Sequence, residues 1–230
     1  MERDIVVGID IGTTKIAVFI GSRDQDGKPI ILGMGKSESI GVERGVVRNI
    51  EQTSISIGKA IEEAEQKTGY KVREVFVGIA GHQIRNIQHR GNIMLENKGH
   101  IIKESDRERL IKDQENLVLQ PGEKIIHVVP QSFIVDGEAD VINPIGMPGS
   151  CLEGNFNIIT GHITNIENIV RSVEMANCKV RNLILEPIAS AEAVVNASEK
   201  EAGVCLVDIG GGTTDMAIFH EGILRLALVI

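Results

Sequence analysis

Long apolar runs, clustered cysteines and a surplus of basic residues are all missing from this chain, and each absence closes off a class of function. No apolar stretch approaches the roughly 20 residues that a helix needs to cross a bilayer, so no membrane-spanning helix is expected. The opening Met1-Glu2-Arg3-Asp4 leads into a short strand without the apolar core of a secretory leader, and a cytoplasmic protein is the expectation. Cys151, Cys178 and Cys205 stand far apart, which fits buried thiols in a reducing compartment and excludes a disulfide framework. The 6 histidines are scattered without zinc spacing. With 24 Lys and Arg against 32 Asp and Glu the net charge is −8, and no basic stripe is present to hold nucleic acid. A Walker loop is absent too, since no Gly-x-x-x-x-Gly-Lys-Ser/Thr string opens a helix after a strand.

What is present is a soluble, globular composition, 230 residues with 42% hydrophobic, enough for one or two packed cores. Near each end lies a version of one phrase: Gly8-Ile9-Asp10-Ile11-Gly12-Thr13-Thr14-Lys15-Ile16 and Val207-Asp208-Ile209-Gly210-Gly211-Gly212-Thr213-Thr214-Asp215-Met216. Each copy reads as an apolar strand ending in Asp, a tight Gly-containing turn with paired threonines, and a second apolar strand. Glycine allows close backbone approach, while turn N–H groups and threonine hydroxyls can donate to anionic oxygens. A carboxylate at Asp10 or Asp208 can face Mg²⁺ through its retained waters. One copy alone reads equally well as an ordinary hairpin turn. A repeat confined to the hairpins points instead to a duplicated fold whose two half-sites share one ligand.

Hydrophobic spacing predicts strands over Asp4–Asp10, Lys15–Gly21 and Ile30–Gly35, with a turn at 23–27, as an antiparallel meander. Asn49 caps a helix carrying Ile50, Ile57, Ile61 and Ala64, and Gly69 ends it before a strand at Val72–Ile79. From Gln83 to Gly161 the rhythm changes, as in an inserted subdomain. It has a hairpin near Gln88–Leu95, a charged helix Asp106–Leu119 capped by Ser105 with Glu108, and strands Lys124–Val129 and Ser132–Val135. Strand Asn155–Thr160 returns to the main body, and a helix capped at Thr164 with Glu167 buries Ile166, Ile169, Val170 and Val173. Strand Arg181–Leu185 runs into a helix with Pro187 in its first turn. Gly203–Asp208 and the second hairpin then begin a repeat of the opening meander, and Leu224–Ile230 looks like an unfinished strand.

The two hairpins and the connecting Leu185-Glu186-Pro187-Ile188-Ala189-Ser190-Ala191-Glu192-Ala193 resemble the actin, sugar kinase and Hsp70 ATPase superfamily. Within it the chain is similar to the FtsA family of bacterial division proteins. That likeness rests on Gly45-Val46-Val47-Arg48-Asn49-Ile50-Glu51, His127-Val128-Val129-Pro130-Gln131-Ser132-Phe133-Ile134-Val135-Asp136, Asn143-Pro144-Ile145-Gly146-Met147-Pro148-Gly149 and Leu152-Glu153-Gly154. The resemblance implies an α/β fold: an actin-like (ribonuclease H-like) mixed sheet with helices, an inserted small α+β subdomain, and the start of a second actin-like lobe. Residues 1–82 and 162–202 would form subdomain 1A, 83–161 the insertion 1C, and 203–230 the beginning of 2A, so that the chain resembles only the front part of a longer protein.

The resemblance also implies ATP with Mg²⁺ between the hairpins. Asp10, Gly12, Thr13, Thr14, Lys15, Asp208, Gly210, Gly211, Gly212, Thr213, Thr214 and Asp215 would surround the phosphates, with Asp10 and Asp208 facing Mg²⁺ through water. Glu186 would orient the attacking water, with turnover slow at most. Lys15 reads equally as a solvated edge residue, Asp215 as a cleft residue or a cap of its own turn, and His82 as a structural histidine. The light face at Ala189, Ser190, Ala191 and Ala193 suits close crossing by a helix of the missing half. By implication the parent protein links FtsZ filaments to the inner face of the membrane at the division site. FtsZ contact and membrane attachment would come from parts missing here, and self-association and other division partners from 83–161. This chain alone would bind nucleotide weakly or not at all. A sugar-kinase-like phosphotransferase and a nucleotide-independent binding fragment are the other readings.

Overall fold

The computed structural model describes residues 5–24, 26–81, 83–97 and 99–230; the expected strand start at Asp4, the turn position Gln25 and the structural role of His82 lie outside the described residues. The meander forms as the alternating apolar residues predict: β1 (Ile5–Ile11), β2 (Lys15–Arg23) and β3 (Pro29–Glu38) pair antiparallel in order. A short ribbon, β4 (Val42–Glu43) with β5 (Val46–Val47), leads into α1 (Ile50–Thr68). Asn49 Oδ1 accepts the Gln52 N–H at 3.0 Å, and Gly69 closes the helix in the left-handed conformation. α1 buries Ile57, Ala60, Ile61 and Ala64 and lies very close to β3, where a Cβ on Gly35 would stand 2.0 Å from the Ala60 carbonyl oxygen. β6 (Glu74–Ile79) then inserts parallel beside β1.

Next come β7 (Arg85–Met94), β8 (His100–Ile101), α2 (Glu104–Asp113) with a 3-10 turn at Gln114–Asn116, β9 (Glu123–Val135), β10 (Glu138–Val141), β11 (Pro148–Gly149) and β12 (Cys151–His162). They build their own sheet, in the order β10-β9-β12-β7, around a separate core of Leu110, Phe133, Leu152, Phe156 and Ile158. α3 (Ile163–Met175), β13 (Lys179–Leu185), α4 (Glu186–Val194) and α5 (Ala197–Ala202) return the chain to the first sheet, whose order is β13-β6-β1-β2-β3. A last antiparallel sheet contains β14 (Val204–Ile209), β15 (Thr214–His220) and β16 (Ile223–Val229). Its Ala217, Phe219, Leu224 and Ala227 join the same hydrophobic core as the first sheet.

Several local expectations are corrected. Gln88–Leu95 is no hairpin: β7 runs straight, paired residue for residue with β12, and Gly91 makes room for the buried Gln114 side chain. The two expected strands around Pro130 are one strand, β9, which tolerates Pro because its register against β12 shifts there in a bulge. β12 does not return to the main body; it lies between β9 and β7 at the centre of the inserted sheet. α2 starts at Glu104 and is closed by Asp106, which accepts the Lys103 N–H at 2.9 Å and pairs with His100 at 2.8 Å, so Ser105 is no cap. It stops at Asp113, well short of Leu119. α3 begins at Ile163, whose N–H is taken by the Gly122 carbonyl, leaving Thr164 inside the first turn and the predicted capping box unformed. α5 was unforeseen, although its Asn196–Glu199 capping box, with both bonds at 2.9 Å, is written in the sequence. Of the cysteines only Cys178 is buried; Cys151 is half-buried and Cys205 exposed.

Candidate functional site

Both Gly-rich turns close with the same bond. Gly12 N–H donates to the Lys15 carbonyl at 3.1 Å and Gly210 N–H to the Thr213 carbonyl at 2.9 Å. Asp10 and Asp208 therefore occupy equivalent places, each two residues before its turn glycine. Across the strands Asp10 faces Ala17, while Asp208 faces Asp215. The paired threonines are not equivalent: Thr13 and Thr14 sit in the first turn opposite in role to Gly211 and Gly212, whereas Thr214 already begins β15.

The two tips touch. A Cβ on Gly211 would lie 2.4 Å from Thr14 Cγ2, and one on Gly212 would lie 2.6 Å from Thr13 Oγ1. Thr13 Oγ1 also accepts the Gly45 N–H at 3.2 Å. Thr13 and Thr14 thus turn toward the other hairpin, and the space directly between the tips is filled by side chains of this chain. Lys15 is exposed at the start of β2, paired in register with Glu38.

Behind the tips lies a cleft of about 470 Å³, lined by Asp10 of β1, Phe76 and Gly78 of β6, Glu186 and Ser190 of α4, and Asp208 of β14. Four elements distant in sequence thus meet on one cavity. Glu186 is the first residue of α4, immediately after the buried Leu185 that ends β13. Its side chain lies over Gly78, where a Cβ would stand 3.1 Å from Oε1. Burial above all, then the charges of Asp10, Asp215 and Asp208, push the Glu186 carboxyl up to about 8. Asp215 is buried and pushed up to about 6, chiefly by burial, with the Thr213 hydroxyl bond opposing and Asp208 and Asp10 adding. Asp10 is raised by burial, with Lys15 pulling it back and Asp208 pushing it further.

Of the two readings left open by the sequence, Asp215 makes the contact within its own turn: its Oδ2 accepts the Thr213 hydroxyl at 3.2 Å, while it does not line the cleft and reaches Glu186 only through its charge. Its Oδ1 is buried with no partner among the described residues. Ser190 Oγ donates to Asp208 Oδ2 at 3.1 Å, which ties α4 to the second hairpin. The light face of α4 divides, with Ala189, Ser190 and Ala193 lining the cleft and Ala191 buried in the core. Gly78 and Phe76 were not foreseen; only their place on the strand beside β1 brings them here. The chemistry of this donor set fits a magnesium nucleotide. Mutually repelling, partly protonated carboxyls and an unpartnered buried carboxylate oxygen favour a nearby cation, and the turn N–H and hydroxyl groups favour an anion.

Residues 81–160 match the family described as "SHS2 domain inserted in FTSA". Over 226 residues the chain is 38% identical to the cell division protein FtsA of Pseudomonas aeruginosa, covering 98% of this chain and 54% of that protein. With FtsA of Neisseria meningitidis identity is 37% over 222 residues, covering 96% and 53%. With Escherichia coli K12 FtsA it is 32% over 229 residues, covering 100% and 54%. The chain therefore spans about half the length of the curated relatives it matches. Among solved structures, the PilM-PilN type IV pilus biogenesis complex superposes with a TM-score of 0.64 at 14% identity, over 100% of this chain and 62% of that one. Ethanolamine utilization protein EutJ from Carboxydothermus hydrogenoformans gives 0.53 at 16%, over 100% and 53%. These likenesses bear out the α/β actin-like fold. Described helices include none long and apolar enough to cross a membrane. An insertion matched by an FtsA-specific family, set within a chain that resembles FtsA proteins from end to end, makes this polypeptide similar to the N-terminal part of an FtsA protein.

Proposed function

We propose that the cleft behind the two hairpins receives the phosphate tail of ATP with Mg²⁺, and that the chain serves bacterial cell division as the phosphate-gripping part of an FtsA protein. The observation that carries this reading is the convergence of Asp10, Glu186 and Asp208 from separate elements onto one cavity, with the Asp215 carboxyl near enough to act on Glu186 by its charge. Asp10 and Asp208 would hold Mg²⁺ through its retained waters. Bound there, the cation supplies neutralisation of phosphate charge. Turn N–H groups of Gly211 and Gly212, hydroxyls of Thr13, Thr14 and Thr214, and the Lys15 ammonium donate to phosphate oxygens, while Gly12 and Gly210, whose N–H groups close the turns, and Thr213, whose hydroxyl donates to Asp215, shape the two tips. Asp215 braces Thr213. Glu186, at the N-terminus of α4, positions a water and accepts its proton only in the minor ionised form that a carboxyl held up to about 8 keeps at neutral pH. Hydrolysis is slow, because nothing else on these elements activates that water.

The same reading assigns 1–82 and 162–202 to subdomain 1A, 83–161 to 1C and 203–230 to the beginning of 2A. In the complete protein, self-association and contacts with division partners run through 1C. FtsZ binding and attachment to the inner face of the membrane come from elsewhere in the protein. The touching tips support weak nucleotide binding by this chain alone, since Thr13 and Thr14 must leave Gly211 and Gly212 before both turns can donate to one phosphate.

ATP binding measured calorimetrically with Mg²⁺, in the protein at the full length of its relatives, tests the site. Asp10→Asn and Asp208→Asn are expected to weaken affinity about tenfold or more, whereas Glu186→Gln leaves affinity nearly unchanged and removes turnover. Undiminished affinity in both aspartate variants defeats the proposal. So does submicromolar affinity in the present 230 residues for the weaker claim about this chain.

A further inference from the structure

The inserted sheet reaches the candidate water-positioning carboxylate through one side chain. β13 is an edge strand of the first sheet, hydrogen-bonded only to β6. Its last residue, Leu185, is fully buried, so its outward N–H has no water to fall back on. That N–H donates instead to Nε2 of His127, at 3.0 Å. His127 projects from β9, opposite Ile159 of β12, and thus belongs to the insertion. The next residue after Leu185 is Glu186, where the chain turns from strand into α4.

We propose that His127 is a positioning residue, whose imidazole fixes the β13–α4 junction and thereby the pose of Glu186 over Gly78, coupling the insertion to the cleft. The bond requires a neutral ring with Nε2 unprotonated and the proton on Nδ1. Burial holds the imidazole below its ordinary range, which keeps it in that form near neutral pH. The same strand also grips the second hairpin's sheet, because Gln131 Nε2 donates to the Leu224 carbonyl of β16 at 2.9 Å. One strand of the insertion therefore touches both the β13–α4 junction and the sheet that carries the second hairpin, and a partner that shifts β9 would move Glu186. This inference deepens the reading of Glu186 given above.

The test compares His127→Leu with His127→Gln by NMR, since glutamine can return an oxygen acceptor to the position of Nε2 and leucine cannot. In the 230-residue chain, His127→Leu should speed exchange of the Leu185 amide roughly tenfold, the loss of about one hydrogen bond. At constant pH it should also shift the Glu186 ¹³Cδ resonance, identified by its disappearance in Glu186→Gln. His127→Gln should restore both. If His127→Leu does not fold, His127→Phe keeps a ring without an acceptor and replaces it. An unmoved Glu186 resonance in the acceptor-free variant, or a glutamine variant as perturbed as the acceptor-free one, overturns the proposal. Turnover of Glu186→Gln in the longer protein separately decides the role of Glu186: if it equals wild type, the water-positioning reading fails while the spectra still decide whether His127 sets that side chain.

Discussion

The two hairpins share a phrase and a turn bond yet live in different surroundings. Ile11, ending β1, is 6% exposed, whereas Ile209, its counterpart ending β14, is 79% exposed. β1 lies between β6 and β2 in a sheet covered by α1, while β14 is the edge of a three-stranded sheet. Ala17 stands across from Asp10, but Asp215 stands across from Asp208, so only the second hairpin carries a like-charged cross-strand pair. Local sequence thus dictates the turn, while burial and charge strain depend on what the rest of the chain packs around it.

Matched truncations break the comparison most sharply. Ile11→Ala is expected to cost about 2–5 kcal/mol in urea unfolding, because it leaves a cavity in the core, and Ile209→Ala to fall within about 0.5 kcal/mol of wild type. Equal losses would mean that β14 is as buried as β1.

Asp215→Asn sharpens the electrostatic half. The Asp215 carboxyl is raised from its ordinary value near 4 to about 6, so the folded state holds its proton longer and stability falls as pH rises through that interval. Removing the charge should therefore stabilise the protein by roughly 1–3 kcal/mol at pH 8 and by almost nothing at pH 4. Thermal melts at both pH values check the sign; a gain confined to acid contradicts it. Ala17→Asp should create a similar penalty in the first hairpin, again larger at pH 8.

A smaller effect is expected where the insertion meets the second sheet. Asn86 Nδ2 donates to the Ala227 carbonyl at 2.5 Å and Asn157 Nδ2 to the Arg225 carbonyl at 3.2 Å, so two amides of the inserted sheet cap the backbone of β16. Asn86→Ala should cost about 1 kcal/mol and raise amide exchange in β16 but not in β2. Uniform exchange in both hairpins would show that the seam does not distinguish them.

The opening meander, α1 with its Asn49 and Gly69 caps, and the α4 start at Glu186-Pro187 were legible because each is specified by residues within a few positions of one another. Errors fell where long-range packing overrode local pattern. Gly91 reads as a turn but is a slot for Gln114, and Pro130 reads as a strand break but sits in a bulge held by β12. The candidate site divides the same way. Asp10, Asp208 and Glu186 carry recognisable motifs, whereas Gly78 and Ser190 enter through sheet order and helix phase alone.

By itself the sequence determined both turns, the strand–helix junction at Glu186 and the likeness to FtsA proteins, because turn closure and capping act over three or four residues. Only the tertiary structure decided that the carboxyls of Asp10, Glu186 and Asp208 share one cleft, that the tips touch, and that His127 of the insertion holds Leu185. Those are distances between residues far apart in the chain, fixed when sheets pack and not by any local preference.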